Sequence, residues 1–159
     1  MKRVKILNSK EAKELISLIN SRFGSSFRTA CGFLMTNNKR VFLINKEISL
    51  LNTKNLIMSR IGLYFARIEE KFTNNRVRLS IEGAQLVGKT ATENVVEIDK
   101  EEVKAWFSGE DLILKNIPKI VTPGFVILKY NNNFLGCGLL KDNRIKNYVP
   151  KERRVKLYA

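Results

Sequence analysis

Apolar residues near the amino end fall at three- and four-residue steps: Ala12, Leu15, Ile16, Ile19 and Phe23. That spacing lines one face of a helix. Asn8 or Ser9 can cap it, Glu11 supports its first turn, and Gly24 ends it. The pattern then changes to short apolar runs. CGFLMT at 31–36 and RVFLI at 40–44 flank the polar trio Asn37, Asn38 and Lys39, which signals a hairpin. A short helix is predicted at 46–51, a strand at 62–68, a turn at 73–75, a strand at 77–81, and a short helix from 82 to about 87.

The second half opens with a polar stretch at 90–94, followed by the strand VVEI at 95–98. Asp99 can cap a helix reaching about residue 107, and Gly109 ends it. From there the chain reads as strands to its end, with turns at 122–124, 131–133 and around 142–143. One helix followed by many short strands predicts a small, mostly β barrel. The fold class expected is α+β, with an α/β unit at residues 1–92 and a β-barrel unit at 93–159. No repeats or low-complexity segments appear.

Charge changes the picture. The chain has 159 residues, 44% of them hydrophobic, so it can bury a core. Its formal charge is nevertheless +14 and its isoelectric point near 10.0. An excess of that size attracts nucleic acid or an anionic membrane. No stretch approaches the length of a membrane span and the first residues lack a signal-peptide core, so no membrane partner and a cytoplasmic location are expected. The charge is also uneven: residues 1–92 carry a net +11, residues 93–111 a net −5, and residues 112–159 a net +8. An acidic patch thus separates two basic regions.

Candidate chemistry is sparse. There is no histidine, which removes the side chain that most often moves protons near neutral pH and the commonest metal ligand. Cys31 and Cys137 have no partner cysteine nearby in sequence and read as two small buried apolar side chains. No metal or cofactor is expected. Residues 83–90, GAQLVGKT, fit the phosphate-loop pattern, with Gly83 and Gly88 framing the loop before Lys89 and Thr90. The following residues run into the strand at 95–98, whereas a phosphate loop must feed a long helix aimed at the nucleotide. The carboxylate pairs Glu69-Glu70, Glu101-Glu102 and Glu110-Asp111 attach to no evident pocket and read as solvated charge.

The carboxyl-terminal cations form a stronger pattern. Lys141, Arg144, Lys146, Lys151, Arg153, Arg154 and Lys156 surround Asn147 and Tyr148, with Tyr158 near the end. Arginine can grip phosphate with two hydrogen bonds, and tyrosine or arginine can stack on an exposed base. Were this segment a strand, Arg153 and Arg154 would face opposite ways, one toward RNA and the other toward packing or Glu152. Arg76 and Arg78 alternate with Val77 and Leu79 and offer a second possible RNA surface on one strand.

The second half also resembles a known family. The run from Val95 through the helix to Gly109 and Leu114, then Thr122-Pro123-Gly124 and Phe134-Leu135-Gly136-Cys137-Gly138, is similar to a PUA domain, a small RNA-binding barrel. The likeness covers roughly residues 94–159. Residues 41–50 and 77–81 resemble the pre-PUA unit of the Nip-seven-type ribosome-biogenesis proteins, and residues 136–154 resemble the PUA-like tail of the Sun-family rRNA cytosine methyltransferases. No methyltransferase core is present, so the resemblance implies RNA binding without the reaction, in a free-standing partner of archaeal style. PUA domains often use the helix after their first strand for RNA contact. Here that helix and its exit carry Glu101, Glu102, Glu110 and Asp111, so the resemblance favours the strip from Lys141 to Lys156.

The expectation is therefore a non-catalytic RNA-binding protein, acting on ribosomal RNA in ribosome biogenesis, processing or modification, beside ribosome-assembly or RNA-modification proteins. Two alternatives stand against it: an NTP-binding enzyme using residues 83–90, and a protein-binding adaptor using the acidic segment 93–111.

Overall fold

A computed structural model describes residues 4–50, 61–70 and 77–156. The amino-terminal apolar stripe becomes the buried face of helix α1 (Ser9–Phe23), with Leu15, Ile19 and Phe23 inward. Asn8 and Glu11 form a reciprocal cap: the Glu11 N–H donates to Asn8 Oδ1 and the Asn8 N–H donates to Glu11 Oε2, each at 2.9 Å. Gly24 closes the helix in the left-handed region, at φ 54°.

Five strands form the first sheet: β1 (Val4–Ile6), β2 (Gly32–Thr36), β3 (Arg40–Ile44), β4 (Leu63–Ile68) and β5 (Val77–Leu79). They lie in sequence order and every pairing is antiparallel, as short polar connections between apolar runs require. A 3-10 turn at Lys46–Leu50 follows β3. The strand expected at 77–81 stops at Leu79, because Ser80 caps a helix instead. The Gly83 N–H donates to Ser80 Oγ at 2.9 Å, and Ile81 opens α2 (Ile81–Gly88). The cap outweighs the strand preference of Ile81. The turn expected at 73–75 lies outside the described residues.

The second sheet contains β6 (Val95–Glu97), β7 (Leu112–Ile113), β8 (Gly124–Tyr130), β9 (Asn133–Lys141) and β10 (Arg144–Lys146). Its order is β6-β8-β9-β10-β7, and β6 runs parallel to β8. It is a curled half-barrel with edges at β6 and β7. Helix α3 (Lys100–Ser108) provides the crossover after β6, capped reciprocally by Asp99 and Glu102 and ended by Gly109 at φ 97°. The chain does not continue as strand to its end: Pro150, with no N–H to donate, precedes a 3-10 turn at Lys151–Arg153.

Strand β8 explains its unbroken apolar run. Phe125 and Ile127 point into a cluster built by α1, the first sheet and α2, including Phe23, Phe65, Ala84 and Val87. Val126 and Leu128 point the opposite way, into a cluster around Trp106, Val96, Leu140 and Ile145. A strand covered on both faces loses the apolar–polar alternation. Each such fully buried side chain contributes about 1.5–3 kcal/mol.

Polar ties reinforce the same junction. From the end of α1, Arg22 Nε donates to the Phe125 carbonyl at 2.9 Å, while Nη1 and Nη2 donate to Thr122 Oγ1 at 2.6 Å and the Thr122 carbonyl at 2.9 Å. Asn94, buried among them, donates to the Arg22 carbonyl at 2.7 Å and accepts from the Thr122 N–H at 2.8 Å. Burial pulls the Arg22 pKa down from its usual value, so this guanidinium sits in a desolvated setting that its acceptors offset.

Candidate nucleic-acid interface

The basic strip begins on a hairpin. Strands β9 and β10 pair antiparallel, with Asp142 in the turn at φ 56°. Ile145 is fully buried, so its neighbours Arg144 and Lys146 face solvent. Lys141, Arg144 and Lys146, together with Asp111 and Asn143, line an open hollow of about 630 Å³. Arg144 Nε donates to Asp111 Oδ2 at 3.0 Å, yet its side chain stays 64% exposed. Lys146 Nζ lies 5.4 Å from the centre of the Tyr148 ring.

Asn147 has a different occupation. Its side-chain amide donates to the Trp106 carbonyl at 2.7 Å and the Glu110 carbonyl at 2.8 Å, while Oδ1 accepts from the Val149 N–H at 2.8 Å. Its own N–H donates to Asp111 Oδ1 at 2.8 Å. A side chain with those partners ties the end of α3 to the tail and has little left for RNA.

The tail arginines sit on a 3-10 turn and its exit rather than on a strand, so the expected opposition of Arg153 and Arg154 does not arise. Arg153 pairs with Glu82 of α2, not with Glu152. Arg154 Nε donates to the Val149 carbonyl at 3.1 Å, and its guanidinium lies over Gly109, where an added Cβ would approach Nε to 2.6 Å. Lys141, Lys151 and Lys156 are exposed and form no ion pair among the described residues. The strip is thus divided: two arginines hold acids, one covers a helix end, and the lysines project.

Arg78 is not an open contact surface. Its Nη2 and Nε lie 2.9 Å and 3.0 Å from Glu69 Oε1, and its guanidinium stacks 4.2 Å from the Tyr148 ring centre. Its side chain is only 15% exposed. Arg76 and Tyr158 lie outside the described residues. The acidic segment is similarly engaged: Asp99 and Glu102 cap α3, Glu97 accepts from the Asn131 N–H at 2.9 Å, and Asp111 holds Arg144 and Asn147.

The phosphate-loop reading of 83–90 is overturned. The residues between Gly83 and Gly88 are helical, so their amides serve the helix and its cap rather than a cradle, and the helix ends where Lys89 should begin one. Both glycines answer to packing. A Cβ on Gly83 would lie 2.1 Å from the Phe65 carbonyl oxygen, and one on Gly88 would lie 2.4 Å from the Phe134 ring. The cysteines also differ from each other: Cys137 is buried, and burial pushes its pKa up to about 12, whereas Cys31 is exposed, against expectation.

Sequence reasoning missed a cavity of about 250 Å³ where the two sheets meet. Tyr64, Leu79, Ile81, Trp106, Tyr148 and Arg153 are among its walls. Trp106 is fully buried and its Nε1–H has no acceptor among the described residues. Nothing in the sequence marked the Trp106 N–H as unpaired.

Comparison with known proteins bears on these residues. Residues 93–155 match the family model described as the methyltransferase RsmF PUA domain. The chain is 29% identical over 146 residues to the ribosomal RNA small subunit methyltransferase F of Aeromonas salmonicida, a span covering 92% of this chain and 28% of that protein. It is 31% identical over 99 residues to the protein of the same name from Vibrio campbellii, covering 61% and 20% respectively. The Psychromonas ingrahamii counterpart is 29% identical over 124 residues, covering 76% and 24%. The chain therefore spans less than a third of the length of these relatives.

Proposed function

We propose that this protein binds ribosomal RNA through its carboxyl-terminal half, without itself making or breaking a bond, and that it serves rRNA modification or ribosome assembly in the cytoplasm. On this reading residues 93–159 are a PUA-like RNA-binding unit and residues 1–92 a pre-PUA-like α/β unit that supports it. The observation that carries the proposal is the match of residues 93–155 to a PUA domain of an rRNA methyltransferase, on a segment whose lysines project from a folded surface. The relatives' names make rRNA the favoured RNA. Lys141, Lys146, Lys151 and Lys156 supply the phosphate contacts, while Arg144 can exchange its exposed pairing with Asp111 for a phosphate.

Binding of a labelled single-stranded rRNA segment, followed by anisotropy over a salt series, tests this. Affinity should fall linearly on log–log axes. The triple substitution K141A/K151A/K156A should reduce the slope by about 2, since each phosphate contact on a single strand adds roughly 0.7. R153A/R154A should change it less, because both arginines have partners within the protein. An unchanged slope in the triple variant would remove the tail from the interface. RNA-independent capture of a basic protein, lost on charge reversal at Glu101 and Glu110, would favour the adaptor reading.

A further inference from the structure

The cavity between the sheets is a built site rather than a packing flaw. Its inner end holds a desolvated donor, Trp106 Nε1–H, on a residue with no exposed surface. Leaving such a donor unpaired forfeits its hydration with nothing in return. Gly136 sets no side chain against it: a Cβ there would sit 4.0 Å from Nε1 and 3.4 Å from Ile81 Cγ1. Ser80, also lining the cavity, is already committed, since its hydroxyl donates to the Tyr64 carbonyl at 2.6 Å and accepts from Gly83.

The surrounding walls narrow the class of occupant. Leu79, Ile81 and Val149 are aliphatic, and Tyr64, Tyr148 and Trp106 offer rings. The guanidinium of Arg78 already covers the Tyr148 ring, and Arg78 and Arg153 are each balanced by a carboxylate, Glu69 and Glu82. An anion entering here would meet neutral donors, cations already paired with Glu69 and Glu82, and the carboxylate residue Glu152 in the lining, which does not repay its desolvation. A flat, neutral group with a single acceptor meets every requirement. The volume, about 250 Å³, lies just below the roughly 300–1,000 Å³ of drug-sized sites and suits one ring system.

The geometry points to a receptor for a single unstacked nucleobase: the base enters between the sheets, and its carbonyl oxygen accepts from Trp106 Nε1–H. The inference rests on the RNA reading above and deepens it. Tail lysines hold the sugar–phosphate chain, and the cavity reads one base turned out of the stack. Arg153, at the mouth and on the basic turn, links the two.

Trp106 is the one tryptophan in the chain, so its fluorescence reports on the cavity alone. Titration of the intact protein with free uridine should quench or shift that emission saturably. In single-stranded RNA, one abasic position within the bound segment should weaken binding by about tenfold. W106F, which keeps one aromatic ring but removes the indole N–H, should weaken binding to the intact strand about fivefold and leave binding to the abasic strand unchanged. The inference is overturned if RNA binds with the expected salt slope while uridine leaves the emission untouched and every abasic strand binds like its parent. If uridine registers but RNA does not bind, the cavity stands and the rRNA reading falls. Should W106F fail to fold, the uridine and abasic measurements on the unaltered protein still decide.

Discussion

Gly83→Ala should destabilise the protein even though alanine is the better helix former. In an exposed helix the exchange would stabilise by about 1 kcal/mol. Here the new Cβ would lie 2.1 Å from the Phe65 carbonyl oxygen and 3.2 Å from its carbon. Contact would become ordinary only if α2 withdrew from β4 by roughly 1 Å or that carbonyl turned away. The carbonyl is held, because the Ser80 N–H donates to it at 2.9 Å, and the Ser80 hydroxyl holds the adjacent Tyr64 carbonyl. Withdrawal would pull the fully buried Ala84 and Val87 from the core. Overpacking of this kind costs about 1–3 kcal/mol or more, and each strained hydrogen bond adds about 1. After the helix preference is subtracted, a net loss of about 2–3 kcal/mol remains, or a melting point lower by roughly 4–12 °C for a chain of this size. Urea unfolding followed by Trp106 emission, with a thermal melt by circular dichroism, measures it. Gln85→Ala, exposed on the same helix, should stay within about 0.5 kcal/mol. A Gly83→Ala protein as stable as its parent would show that α2 has slack against β4 and that this glycine is not kept for packing.

Three further outcomes are expected. Arg22→Ala removes three hydrogen bonds to Thr122 and Phe125 from a desolvated guanidinium and should cost about 2–4 kcal/mol in denaturant unfolding; a loss under about 1 kcal/mol would mean solvent replaces those bonds freely. Alkylation by iodoacetamide should label Cys31 rapidly and Cys137 only on unfolding, with peptide mapping as the readout. The raised Cys137 pKa also sets a pH dependence. The unfolded thiol ionises near 9 and the folded one near 12, so this group's stabilisation is intact below pH 9 and declines above it by about 1.4 kcal/mol per pH unit. Cys137→Ala should flatten that alkaline decline, and an unchanged profile would refute the assignment.

Local signals were the legible ones. Asn8 with Glu11, Asp99, Gly24 and Gly109 marked helix ends correctly because capping is decided within a few residues, whereas Glu102, read as solvated charge, completes the cap at Asp99. The apolar run in β8 was read as a strand, but only the structure shows that two separate clusters consume it. What could not be read was chemistry between distant positions. Arg153 finds Glu82 across 71 residues, and Arg22 reaches Thr122 across 100. Both arginines counted equally as available charge in the sequence, where local spacing gives no indication of such partners. Gly83 and Gly88 were drawn into a phosphate-loop pattern for the same reason, since the pattern records glycine but not the carbonyl or ring pressed against it.

Because β8 lends one side of itself to each hydrophobic cluster, the matched segment cannot be lifted out cleanly. A truncated protein starting at residue 93 would present Phe125, Ile127 and Cys137 to water as a greasy wall. Anyone transplanting this segment onto another scaffold would have to carry the first sheet and both of its helices along with it.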